Sequence, residues 1–180
     1  MWNADRYKHA LDFAARAHGA QKVPGTGAPY VVHLCKVAME VQRAVVAAAG
    51  PSFDADLAVT AALLHDCIED AGVSADDVEA HFGRAVRDAV VALTKDAALP
   101  ADERMPDALR RIRAQPRAVW AVKLADRITN LESPPPHWTL EKRRRYRAEA
   151  VTIRETLRGG CPLLEERLEE KIAAYAPFCA

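Results

Sequence analysis

With 180 residues the chain is read as one domain, residues 1–180, able to bury roughly 70% of its unfolded surface without disulfide or metal staples. Lys+Arg and Asp+Glu both number 25, so no overall field steers it toward nucleic acid or an anionic membrane, and neither is expected as a partner. Abundant alanine with only 6% aromatics argues against a sheet-dominated fold and for closely packed helices.

In chain order, the first helix is predicted over about Asp5–His18, with Tyr7, Ala10, Leu11, Ala14 and Ala17 along one side. A loop marked by Pro24, Gly25 and Gly27 follows. Pro29 opens a second helix running to about Ala49 and closed by Gly50-Pro51. The third spans about Asp54–Ile68 and carries His65-Asp66 near its C-terminal end. Ser74 and Asp77 have the spacing of a helix cap, for a short helix ending at Phe82-Gly83. Further helices are expected over about Arg84–Thr94, Asp107–Ala114, Pro116 to before Pro134, Leu140–Leu157 and Pro162–Tyr175. No period-2 stretch intervenes, so the fold class is all-α, a helical bundle.

Four cysteines, Cys35, Cys67, Cys161 and Cys179, show no CxxC spacing and read as reduced packing residues. The opening MWNADR is unlike a secretory signal, and no apolar run approaches the roughly 20 residues of a membrane span, so a cytoplasmic location is expected. Base gathers at Arg110, Arg111, Arg113 and Arg117 and again at Lys142, Arg143, Arg144, Arg145 and Arg147. These clusters are either solvated helix faces or a rim that receives phosphate.

Against this background a dispersed set of metal-type ligands stands out: His33, the pair His65-Asp66, and Asp126. Each lies in a helical, otherwise apolar pattern, and buried imidazoles and carboxylates must bind something, each other or a metal. Residues three and four apart share a helix face, which puts Glu69 and Asp70 beside His65-Asp66, and Asn130 beside Asp126. Two imidazoles and two carboxylates suit Mn²⁺, Fe²⁺ or Zn²⁺ better than Mg²⁺. Coordination positions remain for water, whose proton Glu69 or Asp70 would accept. Taken singly the elements are ordinary. His33 alone would be a satisfied core histidine, Asp126 would pair with Lys123 or Arg127, and Glu69-Asp70 would be a solvated helix end.

Four stretches carry a family resemblance: FAARAH (13–18) leading to GAPYVVH (27–33), AALLHDCIED (61–70), VEAHFGRAV (78–86) with VALTK (91–95), and VKLADRITNL (122–131). In this order they resemble the HD-domain superfamily of metal-dependent phosphohydrolases, more narrowly the hydrolase domain of the RelA/SpoT group and the small alarmone hydrolases. The match covers about residues 7–150, with C-terminal helices continuing to 176. The resemblance implies one divalent metal, usually Mn²⁺, held by His33, His65, Asp66 and Asp126. It also implies a nucleotide substrate: removal of the 3′-pyrophosphate of guanosine tetra- or pentaphosphate, giving GDP or GTP plus pyrophosphate. By the same carry-over Glu69 and Asp70 position or deprotonate the attacking water, Asn130 contacts the nucleotide or orders the site, and Tyr146 contacts the nucleoside.

Two departures stand out. Leu34 follows the first histidine where the family often has proline, and the loop after Gln21 offers only Lys22 to grip phosphates where the family has several basic residues. The alternatives are an HD phosphatase acting on a deoxynucleotide, a 5′-monophosphate or NADPH, a nucleotide-binding module without turnover, and a helical scaffold with a purely structural metal.

Overall fold

The computed structural model describes residues 2–47 and 53–180. Ten α-helices occupy them: α1 Ala4–His18, α2 Val31–Ala47, α3 Ala55–Leu64, α4 Cys67–Ala71, α5 Ala75–Phe82, α6 Arg84–Leu93, α7 Arg104–Arg113, α8 Arg117–Asn130, α9 Leu140–Thr156 and α10 Pro162–Ala174. A 3₁₀ turn, Ala176–Cys179, follows. Among the described residues no strand forms, only an isolated antiparallel bridge between Lys22 and Pro29, so the all-α expectation holds. The expected close of the second helix at Gly50-Pro51 lies outside the described residues.

The helix starts are chemically marked. Asn3 accepts hydrogen bonds from the backbone N–H groups of Asp5 and Arg6, Asp54 accepts from Leu57, Thr139 accepts from Lys142, and Ser74 with Asp77 forms the reciprocal capping box. Two starts differ from expectation: α2 begins at Val31, with Pro29 in the bridge to Lys22 rather than opening the helix, and α7 begins at Arg104 rather than Asp107. Pro106 therefore lies in its first turn, where no intrahelical N–H is required.

α3 and α8 form the centre. α3 is buried at every position except Asp56, and α8 is buried from Ala118 to Ile128 except at Trp120; helices buried on nearly all sides belong inside a bundle. α1, α2 and α8 pack on α3, while α10 packs on α8 and α9. The buried apolar side chains form one cluster that includes Ala10, Leu64, Leu124 and Leu164.

The arginine-rich stretches serve this packing. Arg111 donates to the carbonyls of Val91 (2.6 Å), Ala92 (3.1 Å) and Thr94 (2.7 Å) around the end of α6. Arg113 donates to Thr156 at the end of α9, and Arg144 and Arg147 donate to Cys179 and Ile172 at the C-terminal end of the chain. A C-terminal helix turn leaves carbonyls without partners and carries partial negative charge, so guanidinium groups satisfy both needs.

The α9–α10 corner makes one close approach. A Cβ on Gly160 would lie 2.9 Å from Trp120 Cε3 and 3.0 Å from the Leu157 carbonyl oxygen. Because backbone cannot retreat, Gly160→Ala is expected to destabilise the protein by about 1–3 kcal/mol. A thermal melt reads this directly; an unchanged midpoint would mean that Trp120 and the corner yield freely.

Candidate metal centre

Three elements converge on one point. His33 occupies the first turn of α2, and Asp126 lies just before the last turn of α8. His65 and Asp66 were expected inside a continuous helix; instead α3 stops at Leu64 and α4 starts at Cys67, leaving the pair at the break. The reason is visible in the backbone. Asp66 sits at φ −101°, ψ 0°, the sparsely allowed bridge region, and this bend allows adjacent residues to aim at the same volume.

The donor atoms are close. His65 Nε2 lies 3.0 Å from Asp66 Oδ2, and the two imidazole Nε2 atoms are 3.4 Å apart. His33 Nε2 lies 3.6 Å from both Asp66 Oδ2 and Asp126 Oδ1, and His65 Nε2 lies 3.7 Å from Asp126 Oδ1. Donors about 2.1 Å from a shared ion are separated by about 3.0–3.4 Å at octahedral or tetrahedral angles. The His65–Asp66 and His33–His65 spacings fall in this range, the His33–Asp66 and both Asp126 spacings lie 0.2–0.3 Å above it, and His33, His65 and Asp66 form a group able to hold an ion. His65 is preset for this: its Nδ1–H donates to the Ala62 carbonyl at 2.8 Å, leaving Nε2 for the cluster. His33, His65 and Asp126 are all buried.

Donors hold the carboxylates in place. Asp126 accepts from Lys123 Nζ on Oδ2 (3.0 Å) and from Asn130 Nδ2 on Oδ1 (2.5 Å). Tyr30 donates its hydroxyl to Asp66 Oδ2 at 2.6 Å, with Asp70 Oδ2 at 3.2 Å. Glu69 is committed elsewhere, accepting from the Lys95 backbone N–H on Oε2 (2.8 Å) and from Lys95 Nζ on Oε1 (2.7 Å).

The cluster opens into a cavity of about 130 Å³ lined by Tyr30, His65, Asp66, Glu69, Asp70, Leu93, Lys95, Lys123, Asp126 and Asn130. Its carboxylates outnumber its ammonium groups four to two, an excess that a divalent cation would neutralise. Of the residues singled out in the sequence, seven come together here. Lys22 and Tyr146 do not reach the wall. Lys22 is exposed on the α1–α2 loop, while Tyr146 stacks under the Arg127 guanidinium (4.2 Å to the ring centre) and meets Trp138 edge-on. The two arginine clusters also lie off the wall. Tyr30, Lys95 and Lys123 were missed as site residues, although each stands inside a quoted motif.

Burial and charge shape the protonation of the metal-free cluster. Burial opposes charge on His65, but Asp66 and Asp126 outweigh it and raise the imidazole to about 10. Burial likewise opposes ionisation of Asp126, yet Lys123 and His65 hold its carboxyl far below the usual range. Asp70 is raised by burial and by the neighbouring Asp66 and Glu69. Tyr30 is raised by burial and by Asp66, so its hydroxyl keeps its proton.

A pH dependence follows. With its pKa raised to about 10, His65 is cationic at neutral pH in the metal-free protein, and a metal must displace that proton from Nε2. Metal binding at neutral pH is expected to release about one proton, and apparent affinity should climb about tenfold per pH unit below the raised pKa. Calorimetry in buffers of different ionisation enthalpy measures the release. Identical heats in all buffers would rule out a protonated His65.

The sequence matches the HD domain family over residues 10–159. It is 35% identical to a mouse guanosine-3′,5′-bis(diphosphate) 3′-pyrophosphohydrolase, MESH1, over 167 residues, 89% of each chain. Identity to the human MESH1 is 36% over 166 residues, again 89% of each. In a solved structure of a metazoan orthologue of SpoT that hydrolyses ppGpp, the same fold recurs with a TM-score of 0.81, 29% identity and 97% coverage of both chains.

Proposed function

The chain belongs to the HD-domain family, and from that premise we propose that it hydrolyses the 3′-pyrophosphate of guanosine tetra- or pentaphosphate, yielding GDP or GTP and pyrophosphate. The observation that carries hydrolysis is the His33–His65–Asp66 cluster, with Asp126 facing both imidazoles, at the floor of a polar cavity. Likeness over 89% of the chain to 3′-pyrophosphohydrolases supports the substrate.

His33, His65, Asp66 and Asp126 would hold the metal, and Mn²⁺ suits this mixed nitrogen and oxygen set, with Fe²⁺ or Zn²⁺ as substitutes. Bound there, the ion would supply Lewis acidity and lower the pKa of a ligated water. Asp70, whose Oδ2 meets Tyr30, would accept the proton of the attacking water. Glu69 holds Lys95 by both backbone and side chain, leaving two of the ammonium's three donors for phosphate oxygens. Asn130 orders the site through Asp126. Lys22 and Tyr146, off the wall, would reach only parts of the nucleotide that extend beyond the cavity.

The test is turnover of guanosine tetraphosphate with Mn²⁺, with GDP and pyrophosphate resolved by ion exchange. Stoichiometric pyrophosphate that disappears with EDTA is the expected result. One observation favours a second reading: the single lysine of the α1–α2 loop lies outside the cavity wall. If the alarmone is not turned over while a deoxynucleotide, a 5′-monophosphate or NADPH is, the phosphatase reading replaces the first.

A further inference from the structure

We propose that Tyr30 is a positioning residue that ties the metal-facing carboxylate of Asp66 to the carboxylate of Asp70, so that one hydroxyl sets both. The inference rests on the roles just given to Asp66 and Asp70.

Tyr30 is held at three levels. Its backbone N–H donates to the Gln21 carbonyl at 2.9 Å, closing the base of the α1–α2 loop. Its ring stacks on His18, with centres 4.7 Å apart and planes 22° apart. His18 is itself buried, its Nδ1 lying 2.8 Å from Gln21 Oε1. The hydroxyl is thereby delivered to Asp66 Oδ2 (2.6 Å) and Asp70 Oδ2 (3.2 Å).

A phenol has one proton to donate, and here it faces two carboxylates. Asp66 Oδ2 is also the oxygen that faces His65 and His33. The same hydroxyl therefore orients the Asp66 carboxylate toward the imidazoles and holds Asp70 toward the cavity. Tyr30 touches neither the proton in flight nor the scissile bond in this assignment; it acts through its two partners.

Tyr30→Phe in the full chain removes one oxygen and keeps the stack on His18. Outer-shell partners of metal ligands are typically worth 10–100-fold in affinity or activity. Mn²⁺ affinity, read without nucleotide from the free-ion EPR signal, is expected to weaken on the order of tenfold. On guanosine tetraphosphate kcat should fall on the order of 10–100-fold, with KM held within about twofold. In an Asp70→Asn background the same change should cost less than about threefold in kcat, because residues acting as a unit are non-additive.

Unchanged Mn²⁺ affinity overturns the tie to Asp66. An unchanged kcat, or a loss fully additive with Asp70→Asn, overturns the tie to Asp70. If the wild-type chain does not turn over the alarmone, the substrate reading fails, while the Mn²⁺ titration still decides the tie to Asp66.

Discussion

Asp126→Asn is expected to lower kcat/KM on the order of 10³-fold or more, because Lewis acidity and water activation depend on the same donor set. The substitution replaces an anionic donor 3.6 and 3.7 Å from the two imidazoles with a neutral amide of the same shape. Its amide oxygen can still accept from Lys123, so the fold should survive. Asp126→Ala separates the two roles of the residue. It leaves the Lys123 ammonium, only 6% exposed, without its carboxylate, and breaking a buried pair costs about 3–5 kcal/mol. The alanine variant should therefore lose activity and melt well below wild type in EDTA, while the asparagine variant loses mainly activity. Wild-type kcat/KM for Asp126→Asn at trace metal would remove Asp126 from the ligand set.

Asp70→Asn should lower kcat by about 10²–10⁴-fold, the usual worth of a positioned acid–base group, with Mn²⁺ affinity little changed. Glu69→Gln is expected to cost less. Both Glu69 oxygens accept from Lys95, one from its backbone and one from its ammonium, so the change loosens a clamp. Its effect should appear chiefly as a higher KM, through a less firmly placed Lys95 ammonium. Comparing kcat and KM for the two variants decides the division of labour. A larger kcat loss in Glu69→Gln than in Asp70→Asn would reverse it.

Much of the site was legible because its residues interrupt apolar helical patterns. His33 and Asp126 on helices, and His65 and Asp66 at the break between two, are polar groups among buried neighbours, and a polar residue in such a place requires a partner. Tyr30, Lys95 and Lys123 carried no comparable signal. A tyrosine beside Pro29 or a lysine near a helix end is ordinary in sequence, and their importance lies in hydroxyl and ammonium groups crossing between elements. Lys123 shows the difficulty well: pairing with Asp126 looked like the bland alternative to metal binding, yet the pair exists on the cavity wall and orients the carboxylate. The arginine runs show the converse. As a linear pattern they admitted a phosphate rim, whereas Arg111, Arg113, Arg144 and Arg147 hydrogen-bond carbonyls near helix ends.

Periodicity, caps and composition are short-range properties, and from them the all-α class, most helix boundaries and the grouping of acidic residues around His65-Asp66 could be read in one dimension. What needed three dimensions was everything that depends on distances between helices. The break of α3 at His65, the commitment of Glu69 to Lys95, the position of Tyr30 over two carboxylates, and the placement of Lys22 and Tyr146 off the cavity wall all come from packing around α3 and α8. Hydrogen bonds select partners over a few tenths of an ångström, and spacing along a chain does not encode distances that fine between separate elements.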